Sequence, residues 1–272
     1  TGPDDELKEL ADTFDAFLAR LEGAFDEQRQ FVANASHELR TPLARQRTLI
    51  EVALADPQPS VTSLQAACGR ALAASEQQER LIDALLTLAH TQRGLRARVP
   101  IDVGGVTRDV VEARRDDADR AGLTVQADLG PAPSAGDPRL AERLAAHLVG
   151  NAIQHNVPGG WVSASTRVTA DRAVLTVANS GPAVPPAQVG RLFEPFQRLG
   201  EDRVAGPGAS GLGLSIVKAV AAAHDAWVHA RALPGGGLEV QVHFPAVPAA
   251  ASAAGPPAAR QPGDAVRAPG PG

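Results

Sequence analysis

The stretch GPGASGLGLSIVKAV, Gly206 to Val220, admits two readings, and each belongs to a different fold. Taken as G-x-G-x-x-G, the glycines Gly206, Gly208 and Gly211 outline the tight turn of a dinucleotide-binding βαβ unit. That unit requires a strand before the glycines and an acidic residue ~20 positions on, at the end of the next strand. Here a polar loop, LGEDRVA, precedes Gly206, Pro207 occupies the tight turn, and no acidic residue ends the following strand, AWVHARAL. The second reading uses Gly211 and Gly213. Lacking side chains, they let backbone amides approach a phosphate group at a helix start. The surroundings satisfy this reading and fail the first.

Working outward, residues from about 98 to 245 read as one layered α/β domain. VPIDVGGV and LTVQADL are expected to be strands flanking a helix that begins near Val106. Asp137 is an N-cap with Pro138 at the first helical position, and RLAERLAAHLVGNAIQHN continues that helix to the Pro158-Gly159-Gly160 stop. WVSASTRV, AVLTVAN, AWVHARAL and LEVQVHF alternate apolar and polar residues as half-buried strands do.

Toward the N-terminus the period changes to that of helices. Leu7, Leu10, Phe14, Phe17, Leu21 and Phe25 recur at three- and four-residue steps and form one stripe. DPQPS, Asp56 to Ser60, interrupts the pattern with two prolines and supplies Ser60 as an N-cap. A second helix then carries Leu64, Cys68, Ala71, Leu72, Ile82, Leu85 and Ala89. Two helices joined by a short loop make an antiparallel hairpin with an open apolar face. A second copy can cover it as a four-helix bundle. Beyond Pro245, PAVPAAASAAGPPAARQPGDAVRAPGPG has almost no large apolar residue, so a disordered tail is expected.

Bulk composition removes several function classes. With a formal net charge of -5 and no basic block, direct nucleic-acid binding is disfavoured. Cys68 is the only cysteine among 272 residues, which excludes an intrachain disulfide and a cysteine-based zinc site. No apolar run approaches the ~18 residues of a membrane span. The chain opens on Thr1 without a signal-peptide pattern, so a fragment with a membrane anchor upstream is expected.

The residues richest in chemistry lie in the first helix, in FVANASHELRTPL, Phe31 to Leu43. An imidazole on an exposed helical face can attack phosphorus through an unprotonated ring nitrogen. Glu38, the neighbour of His37, can hold the other ring nitrogen or remove its proton. Thr41 lies four residues on, on the same face, where its hydroxyl can position water. Pro42 offers no N–H to the carbonyl of Glu38, so a bend beside the histidine is expected.

SHELRTPL resembles the phosphoacceptor box of the sensor histidine kinases of two-component signalling. The resemblance covers residues 4 to 245 and implies an α+β protein: a helical hairpin in a dimeric four-helix bundle, then an ATP-binding α/β sandwich of the GHKL (Bergerat) type. It implies the end of a HAMP relay at 1–30 (DDELKELADTFDAF, Asp4 to Phe17), the hairpin at 31–95, the catalytic domain at 98–245 and the tail at 246–272. On this resemblance His37 is phosphorylated, Glu38 is the base, and Thr41 assists removal of phosphate from the partner. LVGNAIQHN resembles the asparagine box, which makes Asn151 the Mg²⁺ ligand and places His155 beside the nucleotide. ANSGPAVP resembles the D-x-G-x-G-I box, with Asn179 in the usual aspartate's place, Gly181 kept and Ala183 for the second glycine. An amide oxygen accepts the adenine amino hydrogen without charge assistance, so weaker adenine recognition is expected.

RLFEPFQRL resembles the lid's phenylalanine box, with Arg198 toward the outer phosphates and Phe193 and Phe196 as lid packing. Gly211, Leu212, Gly213 and Leu214 match the G-L-G-L glycine box. His147 stands where a second asparagine is frequent, Gln154 where a basic residue is, and HDAW lacks the usual glycines, so Asp225 must make a turn that suits glycine. The implied activity is autophosphorylation of His37 from Mg²⁺-ATP and transfer to an aspartate of a response-regulator receiver domain. The implied setting is the cytoplasmic portion of an inner- or plasma-membrane protein. Two alternatives stay open: a phosphatase-biased or weakly ATP-binding sensor, and a non-catalytic dimeric relay. A GHKL machine that only hydrolyses ATP leaves the hairpin unexplained.

Overall fold

The structure, a computed structural model, describes residues 3–91, 94–95, 97–197 and 211–247, without the side chains of residues 3–7, 24 and 27. Arg198, Gly206, Gly208 and the expected tail beyond 247 lie outside the described residues.

Two long helices open the chain, α1 (Pro3–Ala55) and α2 (Val61–Thr91). Ser60 caps α2 as expected: its Oγ accepts from the Ser63 N–H at 3.0 Å, while Ser63 Oγ accepts from the Ser60 N–H at 3.1 Å. Between the helices, Gln46 Nε2 donates to Ser75 Oγ at 2.9 Å and Gln78 Nε2 to the Leu39 carbonyl at 3.4 Å. Among the described residues no helix is long and apolar enough to cross a membrane.

The second unit is built from β1 (Val99–Asp102), α3 (Val103–Ala113), α4 (Arg115–Arg120), β2 (Thr124–Asp128), β3 (Pro133–Gly136) and α5 (Pro138–Gln154). It continues with β4 (Trp161–Val168), β5 (Arg172–Asn179), α6 (Gly213–Ala223), β6 (Trp227–Ala232) and β7 (Leu238–Pro245). Five strands form a sheet in the order β2-β4-β5-β7-β6, with β2 parallel to β4 and every other pair antiparallel. One face packs on helices. Leu175 and Val177 of β5 and Val240, Val242 and Phe244 of β7 meet Leu144 and Leu148 of α5 and Ile216, Val217 and Val220 of α6 in one core. Each buried leucine or phenylalanine contributes about 1.5–3 kcal/mol.

Two expectations need correction. VGGV is not strand: α3 begins at Val103, three residues before the expected start near Val106. Asp102 decides this, because its Oδ1 accepts from the Gly104 N–H at 3.1 Å and from the Ala132 N–H at 2.8 Å. The second partner is 30 residues away in sequence. PAPSAG also contains a strand that periodicity did not show. β3 pairs antiparallel with β1, Val99 opposite Gly136, in a separate two-stranded sheet.

The hairpin and the sheet domain touch. Leu81, Ala84 and Leu88 of α2 enter the core that holds α6. Arg143 of α5 donates to Thr87 Oγ1 and to the Asp83 carbonyl on α2. The rings of Phe31 and Phe196 lie 5.7 Å apart, tilted by 46°.

Candidate active site

α1 runs unbroken through Pro42, and its faces there are sharply divided. Ala35 and Pro42 are buried and Leu39 is half-buried, at the spacing of a helical stripe turned toward α2. His37, Glu38 and Thr41 occupy the other side and are exposed. The Thr41 hydroxyl donates to the carbonyl of His37 at 3.1 Å, which leaves its oxygen lone pairs for a further donor. The histidine face is thus accessible while the helix behind it is held.

The second cluster forms where α5, β5 and α6 end or begin. Asn151 projects from the last turn of α5, half-buried, and its side chain has no hydrogen-bond partner among the described residues. His155 is the C-cap of α5 and is exposed; its carbonyl accepts from Asn179 Nδ2 at 3.2 Å. Asn179 follows Ala173, Leu175 and Val177 on the inward face of β5, so a polar residue ends an apolar row at only 5% exposure.

Gly181 sits against the same carbonyl: a Cβ there would lie 2.6 Å from the His155 oxygen. The start of α6 lies beside α5 and the segment at Phe196. Gly211 has φ 67, a conformation open chiefly to glycine, and a Cβ on it would come within 2.8 Å of the Phe196 carbonyl carbon. Leu212 is the N-cap and, being apolar, makes no side-chain cap bond to the first turn through Gly213 and Leu214; Leu212 and Leu214 are buried. The first turn of α6 therefore carries the positive end of the helix dipole.

His147, one turn before Asn151, lies 3.9 Å through Nδ1 from a Cβ placed on Gly213. Burial first, then the positive charges of Arg143 and Arg114, push its pKa down to about 4. It is a neutral imidazole at pH 7. Among the described residues no group of three His, Cys, Asp or Glu side chains is placed to hold a metal ion. A divalent cation here must rely on amide oxygen and on the oxygens of its own ligand, a donor set that suits a hard ion.

Four supporting residues escaped the sequence reading. A Cβ on Gly237, at φ 95, would stand 1.9 Å from the Asn179 carbonyl oxygen, and one on Gly236, at φ 90, 2.4 Å from that of Gly181. The β6–β7 turn is thereby pressed against the segment after β5; the run Gly235-Gly236-Gly237 was the available signal. His224 is fully buried and joins two helix ends. Its Nδ1 faces the Val220 carbonyl at 2.8 Å and its Nε2 accepts from the Asp137 N–H at 3.1 Å. Arg98 donates to the carbonyls of Ala223 and His224 at the end of α6. No local pattern announces either residue.

Residues 27–94 match the His Kinase A (phospho-acceptor) domain, and residues 136–248 match the Histidine kinase-, DNA gyrase B-, and HSP90-like ATPase family. The chain belongs to the sensor histidine kinases. This histidine kinase chain is 46% identical over 245 residues to Sensor protein CutS of Streptomyces coelicolor, a match that covers 90% of the chain and 59% of CutS. The chain thus spans about three-fifths of that relative's length. The fold is shared with histidine kinase AdeS of Acinetobacter baumannii, at TM-score 0.61 and 23% identity over 77% of this chain and 98% of AdeS. It is shared too with histidine kinase ThkA, solved in complex with the response regulator protein TrrA, at TM-score 0.62 and 16% identity over 80% of this chain and 61% of that one.

The residues present fit a nucleotide with its cation. A helix start whose N-cap is an apolar leucine flanked by Gly211 and Gly213 suits phosphate. The Asn151 amide, without a protein partner among the described residues, suits a hard cation. A deeply buried amide at Asn179 suits a polar edge of a base.

Proposed function

We propose that this chain autophosphorylates His37 from ATP and hands the phosphoryl group to an aspartate of a response-regulator receiver domain. The observation that carries the reading is the exposed His37–Glu38 pair on a face of α1 whose opposite side is packed, in one polypeptide with a histidine kinase-type ATPase domain. A ring nitrogen of His37 attacks the γ-phosphorus, the bond to the β–γ bridging oxygen breaks, and ADP leaves with that electron pair. The ring proton passes to the Glu38 carboxylate, its sequence neighbour. Thr41 orients water for hydrolytic removal of phosphate from the partner.

In the ATPase domain, Asn179 Oδ1 accepts from the adenine amino group, and Gly181, His155, Leu212 and Leu214 line the base and sugar. The Gly211–Gly213 amides meet the phosphates, with Arg198 offsetting outer-phosphate charge. The Asn151 amide oxygen holds Mg²⁺, which supplies charge neutralisation at the phosphates. Catalysis here is positioning and charge compensation.

We assign 1–30 to the end of a HAMP relay, 31–95 to the phosphotransfer hairpin, 98–245 to the catalytic domain and 246–272 to a tail. Leu10, Phe14, Phe17, Leu21 and Phe25 of α1 are exposed in the single chain, which supports pairing of two copies. The complex of ThkA with TrrA supports a receiver-domain partner. The remaining length of CutS leaves room for a sensing and membrane-anchoring part upstream, which would put this portion on the cytoplasmic side of an inner or plasma membrane. The test is incubation with labelled Mg²⁺-ATP. Wild type is expected to carry label stable to alkali and lost in acid, and His37→Gln to carry none. Label retained by His37→Gln overturns the assignment.

A further inference from the structure

We propose that His229 and His243, on the sheet face turned away from the helices, hold one divalent cation of the zinc class, with the Gln241 side-chain oxygen as third donor. This site is separate from the nucleotide cleft and stands or falls independently of it.

The strands set the two histidines side by side. In β7, Val240, Val242 and Phe244 enter the core, so Glu239, Gln241 and His243 turn outward. In β6, Val228 and Ala230 pack on the same core, which turns Trp227, His229 and Arg231 outward. The register places Trp227 opposite His243, His229 opposite Gln241 and Arg231 opposite Glu239. His229 and His243 are therefore diagonal neighbours of one antiparallel pair, within reach of a shared ligand.

The His243 ring is held in place. Its face stacks on Trp227, with centroids 3.6 Å apart and planes 7° from parallel. Its Nε2 lies 3.3 Å from Gln241 Oε1. That is long for an N–H···O bond, whose usual length is about 2.9–3.0 Å. It matches two donors bound at ~2.0–2.1 Å to one tetrahedral ion, which stand about 3.3–3.4 Å apart.

Gln241 is oriented in turn. Its Nε2 donates to Glu239 Oε1 at 3.1 Å, and Arg231 grips both Glu239 oxygens at 2.7 and 2.8 Å. The amide oxygen is thereby aimed at His243, and such outer support fixes the ligands of metal sites. His229 is exposed and makes no hydrogen bond among the described residues, so its ring is available. Burial, then the charges of His229 and Arg172, lower the His243 pKa, which keeps that ring a neutral lone-pair donor at pH 7. Imidazole nitrogen favours zinc-class ions over magnesium or calcium.

The experiment titrates the nucleotide-free 272-residue chain with Zn²⁺, and separately with Mg²⁺, by calorimetry, and follows the imidazole C–H signals by NMR. Wild type is expected to bind Zn²⁺ and to shift the ring signals of His229 and His243. His229→Ala and His243→Ala are each expected to lose Zn²⁺ affinity by at least about tenfold, and Trp227→Leu, which keeps every donor, by about tenfold. His90→Ala is expected to bind as wild type does. Unchanged affinity in both histidine variants, each shown folded by its melting curve, overturns the site. So does Zn²⁺ that leaves both ring signals in place, and equal affinity for Mg²⁺ overturns the zinc-class assignment.

Discussion

Arg98 Nη2 lies 2.6 Å from Asp225 Oδ2, and the same guanidinium donates to the carbonyls of Ala223 and His224. One arginine from the segment before β1 thus caps the end of α6, where C-terminal carbonyls attract positive charge. Asp225 itself has φ 53, the left-handed conformation that the turn requires and that suits glycine better.

Comparing Asp225→Gly with Asp225→Ala separates the two effects at that turn. Both variants lose the ion pair, which is worth little because Asp225 is 73% exposed and Arg98 36%. Only alanine keeps the left-handed penalty. Chemical denaturation is expected to find Asp225→Ala less stable than Asp225→Gly by about 1 kcal/mol. Equal stability would mean that the turn relaxes when the carboxylate is removed.

Asn151 has no side-chain partner among the described residues, so its stability and activity effects should part company. Asn151→Ala is expected to shift unfolding by no more than about 0.5 kcal/mol. Labelling of His37 from Mg²⁺-ATP is expected to fall by about a hundredfold or more, the scale of several kcal/mol of lost charge stabilisation. Normal labelling would remove Asn151 from the cation site.

His147 should make the fold acid-sensitive over a defined window. Its pKa is about 4 when folded, against 6.5 for the unperturbed imidazole. Between those values the unfolded chain binds a proton that the folded chain refuses, so stability is full above pH 6.5 and declines as pH falls toward 4. His147→Asn is expected to make that decline shallower when denaturation midpoints at pH 7.5 and 5 are compared. His243, lowered by burial and then by the charges of His229 and Arg172, keeps its own share in the same direction. An unchanged decline in His147→Asn would assign the whole effect elsewhere.

Much of this architecture is legible in local pattern. Ser60 and Asp137 announce α2 and α5 because a capping side chain bonds within three residues, and β4 matches its alternation from Trp161 to Val168. His37, Glu38 and Thr41 could be placed on an exposed helical face because the 3.6-residue period puts Ala35, Leu39 and Pro42 on the other side. The misread start of α3 shows the limit. Asp102 reads as the end of a strand until its bond to Ala132, across two intervening helices and a strand, is known.

The sequence alone determined most element types, the two-part organisation and the helical face on which His37 is exposed, since all three rest on interactions spanning a few residues. Only the tertiary structure decided the strand order, the parallel pairing of β2 with β4, the helix ends joined by His224 and the direction in which the Asn179 amide points. Those features depend on carbonyls and side chains far apart in the chain. Hydrophobic periodicity carries no record of which distant backbone groups will meet.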